Sequence, residues 1–84
     1  MTRAEIQEKI IKIVAEITDR PEDKIEPSSS LKDDLHTDSL ARYEISQEIE
    51  ATFEIEVDEE DLEKIKTVED AIKRVETELG KKKK

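Results

Sequence analysis

Apolar residues recur at intervals of three or four in separate stretches of this chain, and that spacing requires helices that bury one face. The first stretch contains Ile6, Ile10, Ile13, Val14 and Ile17. Thr2 and Glu5 have the spacing of a capping box at its start. Pro21 cannot continue a helix, so the first helix is predicted to end near Thr18 or Asp19.

A second helix is predicted from about Ser39 to Phe53. Ile45, Ile49 and Phe53 recur every four residues and mark its buried stripe, which Leu40 joins from the first turn. Its acidic side chains are expected to face outward: Glu44, Glu48 and Glu50.

The acidic run 58–61 predicts the start of a short third helix that contains Leu62 and Ile65. Residues 54–57 alternate like a strand, but the segment is short and has no partner strand, so we expect an extended link. A last helix should begin at Thr67 and end at Gly80. Its inner face would contain Val68, Ala71, Ile72, Val75 and Leu79.

A long connection rich in Pro, Ser and Asp, residues 20–38, joins the first two helices. Ile25, Leu31 and Leu35 are spaced as anchors in the core, and Ser30 with Asp33 has the spacing of a short capped turn. The sequence therefore predicts an all-α, four-helix bundle of three main helices and a short third one, with a long first loop. We expect a domain over residues 1–80 and a disordered basic tail over 81–84.

The composition restricts the class of function. A chain of 84 residues with 33% apolar residues holds one small core, which argues against an enzyme. The absence of cysteine excludes a disulfide framework and a thiolate nucleophile. Neither a membrane-spanning apolar run nor a signal peptide is present in the sequence, so a cytoplasmic location is expected.

Charge is distributed very unevenly. Residues 33–63 contain thirteen acids and one base, Arg42, which gives that segment a charge of −12 in a chain whose net charge is −9. Such a segment suits basic partner proteins and disfavours nucleic acid.

Ser39 occupies the first turn of the predicted second helix. Serine there usually caps the helix by accepting a bond from a backbone N–H. A phosphate on the same hydroxyl would face those N–H groups and the positive end of the helix dipole.

The order of these elements resembles an acyl carrier protein from about Ile6 to Leu79. The most specific part is the segment 34–40, Asp-Leu-His-Thr-Asp-Ser-Leu, which is similar to the family's Asp-Leu-Gly-x-Asp-Ser-Leu. Further positions follow the family pattern at matching spacing in the second helix and in the segment up to the fourth: Tyr43-Glu44-Ile45, Ile49-Glu50 and Phe53, then Glu56-Val57-x-Glu59-Glu60, Glu63-Lys64-Ile65 and Thr67-Val68. The ordered set is far more specific than Asp-Ser-Leu alone.

The resemblance implies that Ser39 is the attachment point for 4′-phosphopantetheine, which a phosphopantetheinyl transferase transfers from coenzyme A. The thiol of this arm would carry acyl intermediates between enzymes of fatty acid or related lipid or polyketide biosynthesis. Asp38 would help to hold the transferase's magnesium ion. No residue of the chain itself would be catalytic or hold a resident metal.

The resemblance also implies partners and a cargo site. A monomer would dock on basic patches of synthases, reductases and acyltransferases. The expected docking residues are Asp38, Leu40, Tyr43, Glu44, Gln47, Glu48 and Glu50. The expected acyl pocket contains Ile45, Ser46, Ile49, Leu62 and Ile65.

Several positions depart from the family pattern. His36 stands where glycine is usual, which predicts a backbone angle that histidine tolerates less well than glycine. Ser46 replaces an apolar residue, and Tyr43, Gln47 and Glu48 are also atypical. A polar wall reduces the gain from burying a long chain, about 0.8 kcal/mol per methylene. We therefore expect a specialised carrier of shorter or more polar acyl groups, or one with a dedicated partner.

Other interpretations remain open from the residues. The chain could be an aminoacyl, peptidyl or D-alanyl carrier, or a non-carrier helical module that uses its acidic face. A hydrolase using paired carboxylates and His36 lacks pocket-forming length. Asp33, Asp34, His36 and Asp38 could also be interpreted as a metal cluster, but they lack the spacing of a known motif.

Overall fold

The computed structural model describes residues 2–82. Its helices are α1 (Arg3–Thr18), α2 (Ser39–Phe53), α3 (Glu59–Lys64) and α4 (Val68–Lys82), with one 3₁₀ turn at Glu22–Lys24 in the first loop. Over these residues the backbone forms no strand, only an isolated antiparallel bridge between Ser30 and Thr67. The predicted all-α bundle with a long first loop is confirmed.

Local sequence signals set the ends of α1 and α2. Thr2 and Glu5 form the predicted capping box, and α1 ends at Thr18 with Asp19 in the left-handed region at φ 56°. α2 covers the predicted range and ends with Glu54 at φ 54°. Both helices therefore end on a non-glycine residue in a conformation that usually favours glycine.

The core lies where α1 packs against both α2 and α4, while α3 contacts α2. The predicted stripes of α1, α2 and α4 are buried in one cluster, with three exceptions. Ile17 and Leu79 are partly buried and pack against its edge. Leu40 is exposed. The three predicted loop anchors join the same cluster: Ile25, Leu31 and Leu35. Burial of these anchors explains why so long a loop is ordered.

Backbone hydrogen bonds attach the first loop to the start of α4. The Leu31 amide donates to the Lys66 carbonyl at 2.9 Å, and the Glu69 amide donates to the Pro27 carbonyl at 2.8 Å. These bonds fix the loop immediately before the chain turns into α2.

Arg74 links α4 to α3. Its guanidinium donates to Asp61 at 2.7 Å and also pairs with Glu78. The guanidinium lowers the pKa of both carboxyl groups, chiefly by its hydrogen bonds to them. A helix of only two turns gains its position from this contact and from its N-cap, Asp58.

Two boundary predictions are wrong. α4 does not end at Gly80 but continues through Lys82, so Lys81 and Lys82 are helical rather than part of a disordered tail. Residues 83 and 84, the rest of the predicted tail, lie outside the described residues. Ile65 follows α3 as its C-cap instead of lying within it, although it is buried as expected. In the described part of the chain, no helix is long and apolar enough to cross a membrane.

Candidate functional site

Asp38, and not Ser39, caps α2. The Asp38 carboxylate accepts the Ala41 amide at 2.8 Å, and its backbone is extended as an N-cap requires. Ser39 is the first helical residue, and its side chain is exposed. Ser39 therefore does not take the capping role that is usual for a serine in this position, and its hydroxyl makes no hydrogen bond to any of residues 2–82.

The first turn of α2 contains two backbone N–H groups that are available to a ligand. The amides of Ser39 and Leu40 have no acceptor within residues 2–82, because a helix start leaves such groups without intrahelical partners. They lie at the positive end of the helix dipole. A phosphodiester on the Ser39 oxygen therefore fits this turn.

The residues before Asp38 fix where α2 begins. Thr37 is buried, and both its amide and its hydroxyl donate to the Leu31 carbonyl, at 2.9 Å and 2.7 Å. His36 is exposed and has φ 53°, which confirms the left-handed backbone predicted at the position where glycine is usual. The turn between the buried Leu35 and Thr37 thus presents Asp38 and Ser39 at the surface.

The Ser30 turn also supports this loop. Ser30 Oγ accepts the Asp33 amide at 3.0 Å, as its spacing predicts, and Asp34 accepts the Ser30 amide at 2.7 Å. Asp34 is therefore part of the loop's own bonding. Of the carboxylates and His36 considered as a metal cluster, no group of three or more comes together among residues 2–82.

The exposed face of α2 carries most of the expected docking residues. Leu40 and Tyr43 are 64% and 54% exposed, unusually high values for large apolar side chains. The expectation that Leu40 enters the core is wrong; the side chain lies on the outside beside Ser39. The other exposed members of the set are Asp38, Glu44, Gln47 and Glu48.

Glu50 differs from the other docking candidates. It is half-buried, and its carboxylate accepts the Val57 amide at 2.8 Å and the Gln47 side-chain amide at 3.0 Å. Glu50 thereby holds the link after α2, and the prediction that it faces outward is wrong. Nothing in the sequence alone indicated that Val57 would need an acceptor.

Most of the expected acyl-pocket residues lie together in the core. Ile45, Ile49 and Ile65 are buried, Leu62 is half-buried, and Ser46 is 4% exposed. The Ser46 hydroxyl donates to the Tyr43 carbonyl at 2.7 Å, which satisfies it within its own helix. The set of residues expected to form the pocket therefore includes one buried serine.

Sequence patterns did not reveal the buried position of Thr37 or the surroundings of Arg42. Thr37 directly follows His36, the position where the family usually has glycine. The turn expected there could have indicated that the next side chain faces inward. Arg42 was noticeable only as the single base of an acidic segment, while the structure places it in a cavity of about 320 Å³ beside the 30–33 turn.

Comparisons with known proteins give a consistent result. Residues 8–75, which include Ser39, match the family model described as a phosphopantetheine attachment site. Acyl carrier proteins from Chlorobium phaeobacteroides and Chlorobium phaeovibrioides are each 42% identical over 72 residues, covering 86% of this chain and 92% of the relative. The solved structure of an acyl carrier protein from Enterococcus faecalis superposes with a TM-score of 0.78 at 36% identity, covering 93% of this chain and 99% of that one.

Proposed function

The chain belongs to the acyl carrier protein family, and we propose that Ser39 is the residue to which its 4′-phosphopantetheine arm is attached. Members of this family carry acyl intermediates of fatty acid biosynthesis as thioesters on the terminal thiol of that covalent arm. A chain without cysteine thus gains a thiol.

One observation carries the assignment. The Ser39 hydroxyl is exposed and free of hydrogen bonds to residues 2–82, because Asp38 takes the capping role. In the transfer, Ser39 Oγ would lose its proton and bond to the phosphorus that bears the pantetheine arm, while the pyrophosphate bond of coenzyme A breaks and adenosine 3′,5′-bisphosphate leaves. The free amides of the first turn would then face the new phosphodiester.

Asp38 has a second role in this proposal. One carboxylate oxygen accepts the Ala41 amide, while the other has no partner among residues 2–82 and can share a cation. Such a cation would offset the repulsion between the carboxylate and the incoming phosphate. We assign Asp38 to the transferase's magnesium ion during attachment.

The family works with a phosphopantetheinyl transferase and with acyl-processing enzymes, and we assign their docking to the exposed face of α2. Leu40 and Tyr43 supply apolar contact area, and Glu44 and Glu48 supply charge for basic patches. Rim charges of this kind act mainly on association rate and salt dependence. Weak, fast docking suits a carrier that must leave each enzyme.

The remaining assignments follow the family and the size of the chain. We propose a cytoplasmic monomer that is a carrier and not a catalyst, with a carrier domain that includes the whole of α4. We also propose that the acyl group binds among Ile45, Ser46, Ile49, Leu62 and Ile65. The Ser46 hydroxyl in that set favours shorter or more polar acyl groups than long fatty chains.

Intact-mass analysis tests the attachment. The protein is incubated with coenzyme A, magnesium and a broad-specificity phosphopantetheinyl transferase. Wild type should gain the mass of one arm, and Ser39→Ala should gain none. Ser28→Ala, which changes another exposed serine of the same chain, should still gain one arm.

The outcomes separate the carrier from its alternatives. Modification of Ser39→Ala would show that another residue carries the arm. If wild type stays unmodified with several transferases, the carrier assignment fails and a non-carrier acidic interaction module takes its place.

A further inference from the structure

A cavity of about 320 Å³ lies between the 30–33 turn, α2 and the end of α3. Leu31 and Ile65 form an apolar floor, since both are buried core residues. Charged side chains line the rest of the cavity: Lys32, Asp33, Arg42, Glu63 and Lys66. The cavity therefore combines an apolar floor with a charged rim.

The rim favours an anion, unlike the chain as a whole. Its three bases and two acids give a formal charge of +1, while the chain has a net charge of −9. Arg42 is half-buried, and its Nε atom is buried without a hydrogen-bond partner. None of the ion pairs formed within residues 2–82 includes Arg42. An arginine in this state retains the capacity to bind a planar anion through two parallel bonds.

Arg42 is also close to the proposed attachment point. Ser39 and Arg42 are three residues apart in α2, which places them on neighbouring positions of one helix face with a rise of about 4.5 Å between them. Side chains on a helix lean toward its N-terminus, and Ser39 lies in that direction from Arg42. A group carried on a flexible arm at Ser39 can therefore fold back into this cavity.

We propose that the cavity binds the distal end of a short acyl group that terminates in a carboxylate, with Arg42 as the specificity-determining residue. This inference depends on the proposed attachment of the arm at Ser39. The methylenes of the acyl group would contact Leu31 and Ile65, the residue that this cavity shares with the acyl site proposed above, and the terminal carboxylate would pair with Arg42. The apolar floor favours such a cargo over the arm's own phosphodiester, which has no methylene chain to bury.

The test compares two cargoes of equal carbon number on the same protein. Ser39 is loaded from succinyl-coenzyme A or butyryl-coenzyme A, loading is verified by intact mass, and the thermal midpoint is measured at low salt. An additional negative charge on an acidic protein lowers stability unless it is paired. The succinyl form should nevertheless melt roughly 3–8 °C above the butyryl form, as expected for one charge-assisted contact in a domain of this size.

Variants assign that difference to Arg42. Arg42→Gln should abolish it and Arg42→Lys should retain part of it. Arg20→Gln, which removes a half-buried arginine that does not line this cavity, should leave it unchanged. The NMR chemical shift of the Arg42 Nε–H group should change when the succinyl group is carried. It should not change when the arm is attached without an acyl group.

Each other result overturns the proposal in a recognisable way. Equal midpoints for the two cargoes would show that the carboxylate is not bound. A resonance that moves fully with the bare arm would show that the phosphodiester occupies the site. If no arm is added at all, the mass spectrum shows that the attachment at Ser39 has failed, and the cargo proposal fails with it.

Discussion

Asp38 accepts the Ala41 amide at 2.8 Å and so takes the capping role that Ser39, the next residue, would otherwise perform. One acidic residue therefore stabilises the helix start and leaves the neighbouring hydroxyl available. The two roles proposed for Asp38, capping and cation sharing, use the same carboxylate and can be separated by mutation.

Asp38→Asn and Asp38→Ala should have different effects on stability and the same effect on arm attachment. Asparagine caps about as well as aspartate, so its free energy of unfolding should stay within a few tenths of a kcal/mol of wild type, whereas alanine should lose about 1 kcal/mol. Neither variant has the charge for magnesium, so both should accept the arm more slowly. Urea unfolding and the rate of mass gain measure the two effects. Wild-type attachment kinetics in Asp38→Asn would rule out the cation role.

Alanine substitutions of Glu50 and Glu48 should distinguish an effect on stability from an effect on docking. Glu50→Ala removes the acceptor of the Val57 amide and should reduce the free energy of unfolding by roughly 1 kcal/mol. Glu48→Ala removes an exposed charge from the same helix and should leave stability unchanged. Both variants replace glutamate by alanine in the same helix, so the change in helix propensity is similar for the two and does not account for a difference in stability.

The same pair tests the docking face when association with the phosphopantetheinyl transferase is measured. Glu48→Ala should slow association and weaken its salt dependence, while Glu50→Ala should leave the salt dependence close to wild type. If Glu50→Ala proves as stable as wild type, its bond to Val57 does not stabilise the link after α2.

Arg74 should make stability depend on pH. Its hydrogen bonds lower the pKa of Asp61 and of Glu78 in the folded state. The stabilisation is therefore fully present above the pKa of an unfolded carboxyl group, about 4, and is lost as pH falls through the lowered folded values. At pH 7, Arg74→Gln should lose about 0.5–1 kcal/mol from the Asp61 pair alone.

The thermal midpoints of Arg74→Gln and wild type should therefore differ at pH 5–7 and converge below about pH 4. Lys73→Gln is the matched control, since Lys73 is the exposed neighbour of Arg74 and belongs to no ion pair within residues 2–82. A constant difference down to pH 2 would mean that Arg74 stabilises α3 by packing rather than by charge.

The fold was predictable because its signals are local. The four-residue spacing of apolar side chains, the Thr2–Glu5 capping box and Pro21 determine where α1 lies, and the structure agrees with each of them. The prediction that α4 ends at Gly80 was wrong because a glycine after an apolar stripe often ends a helix but does not have to. α4 continues past it to Lys82.

The details of the site were less predictable because they depend on contacts between distant segments. The Asp38 cap could not be told from a Ser39 cap, since either residue suits an N-cap. The half-buried Glu50 depends on the Val57 amide seven residues later. The cavity at Arg42 depends on the 30–33 turn meeting the end of α3. Such juxtapositions have no signature in the spacing of a single helix.

Ser46 should decide how the protein responds to acyl chain length. Ser46 is buried on the same helix as the buried Ile45 and Ile49, and its hydroxyl donates to the Tyr43 carbonyl. With Ser39 loaded with C8 to C16 chains, the thermal midpoint of wild type should change little with length, because a polar wall offsets part of the gain from burying methylenes. Ser46→Val should show a midpoint that rises with length. The corresponding gain in the free energy of unfolding has a limit of about 0.8 kcal/mol per fully buried methylene.

Ser46→Thr, which has the shape of valine but keeps the hydroxyl, should behave like wild type. A steady rise in wild type itself would show that the protein sequesters long chains despite Ser46, and would refute the preference for short or polar cargo.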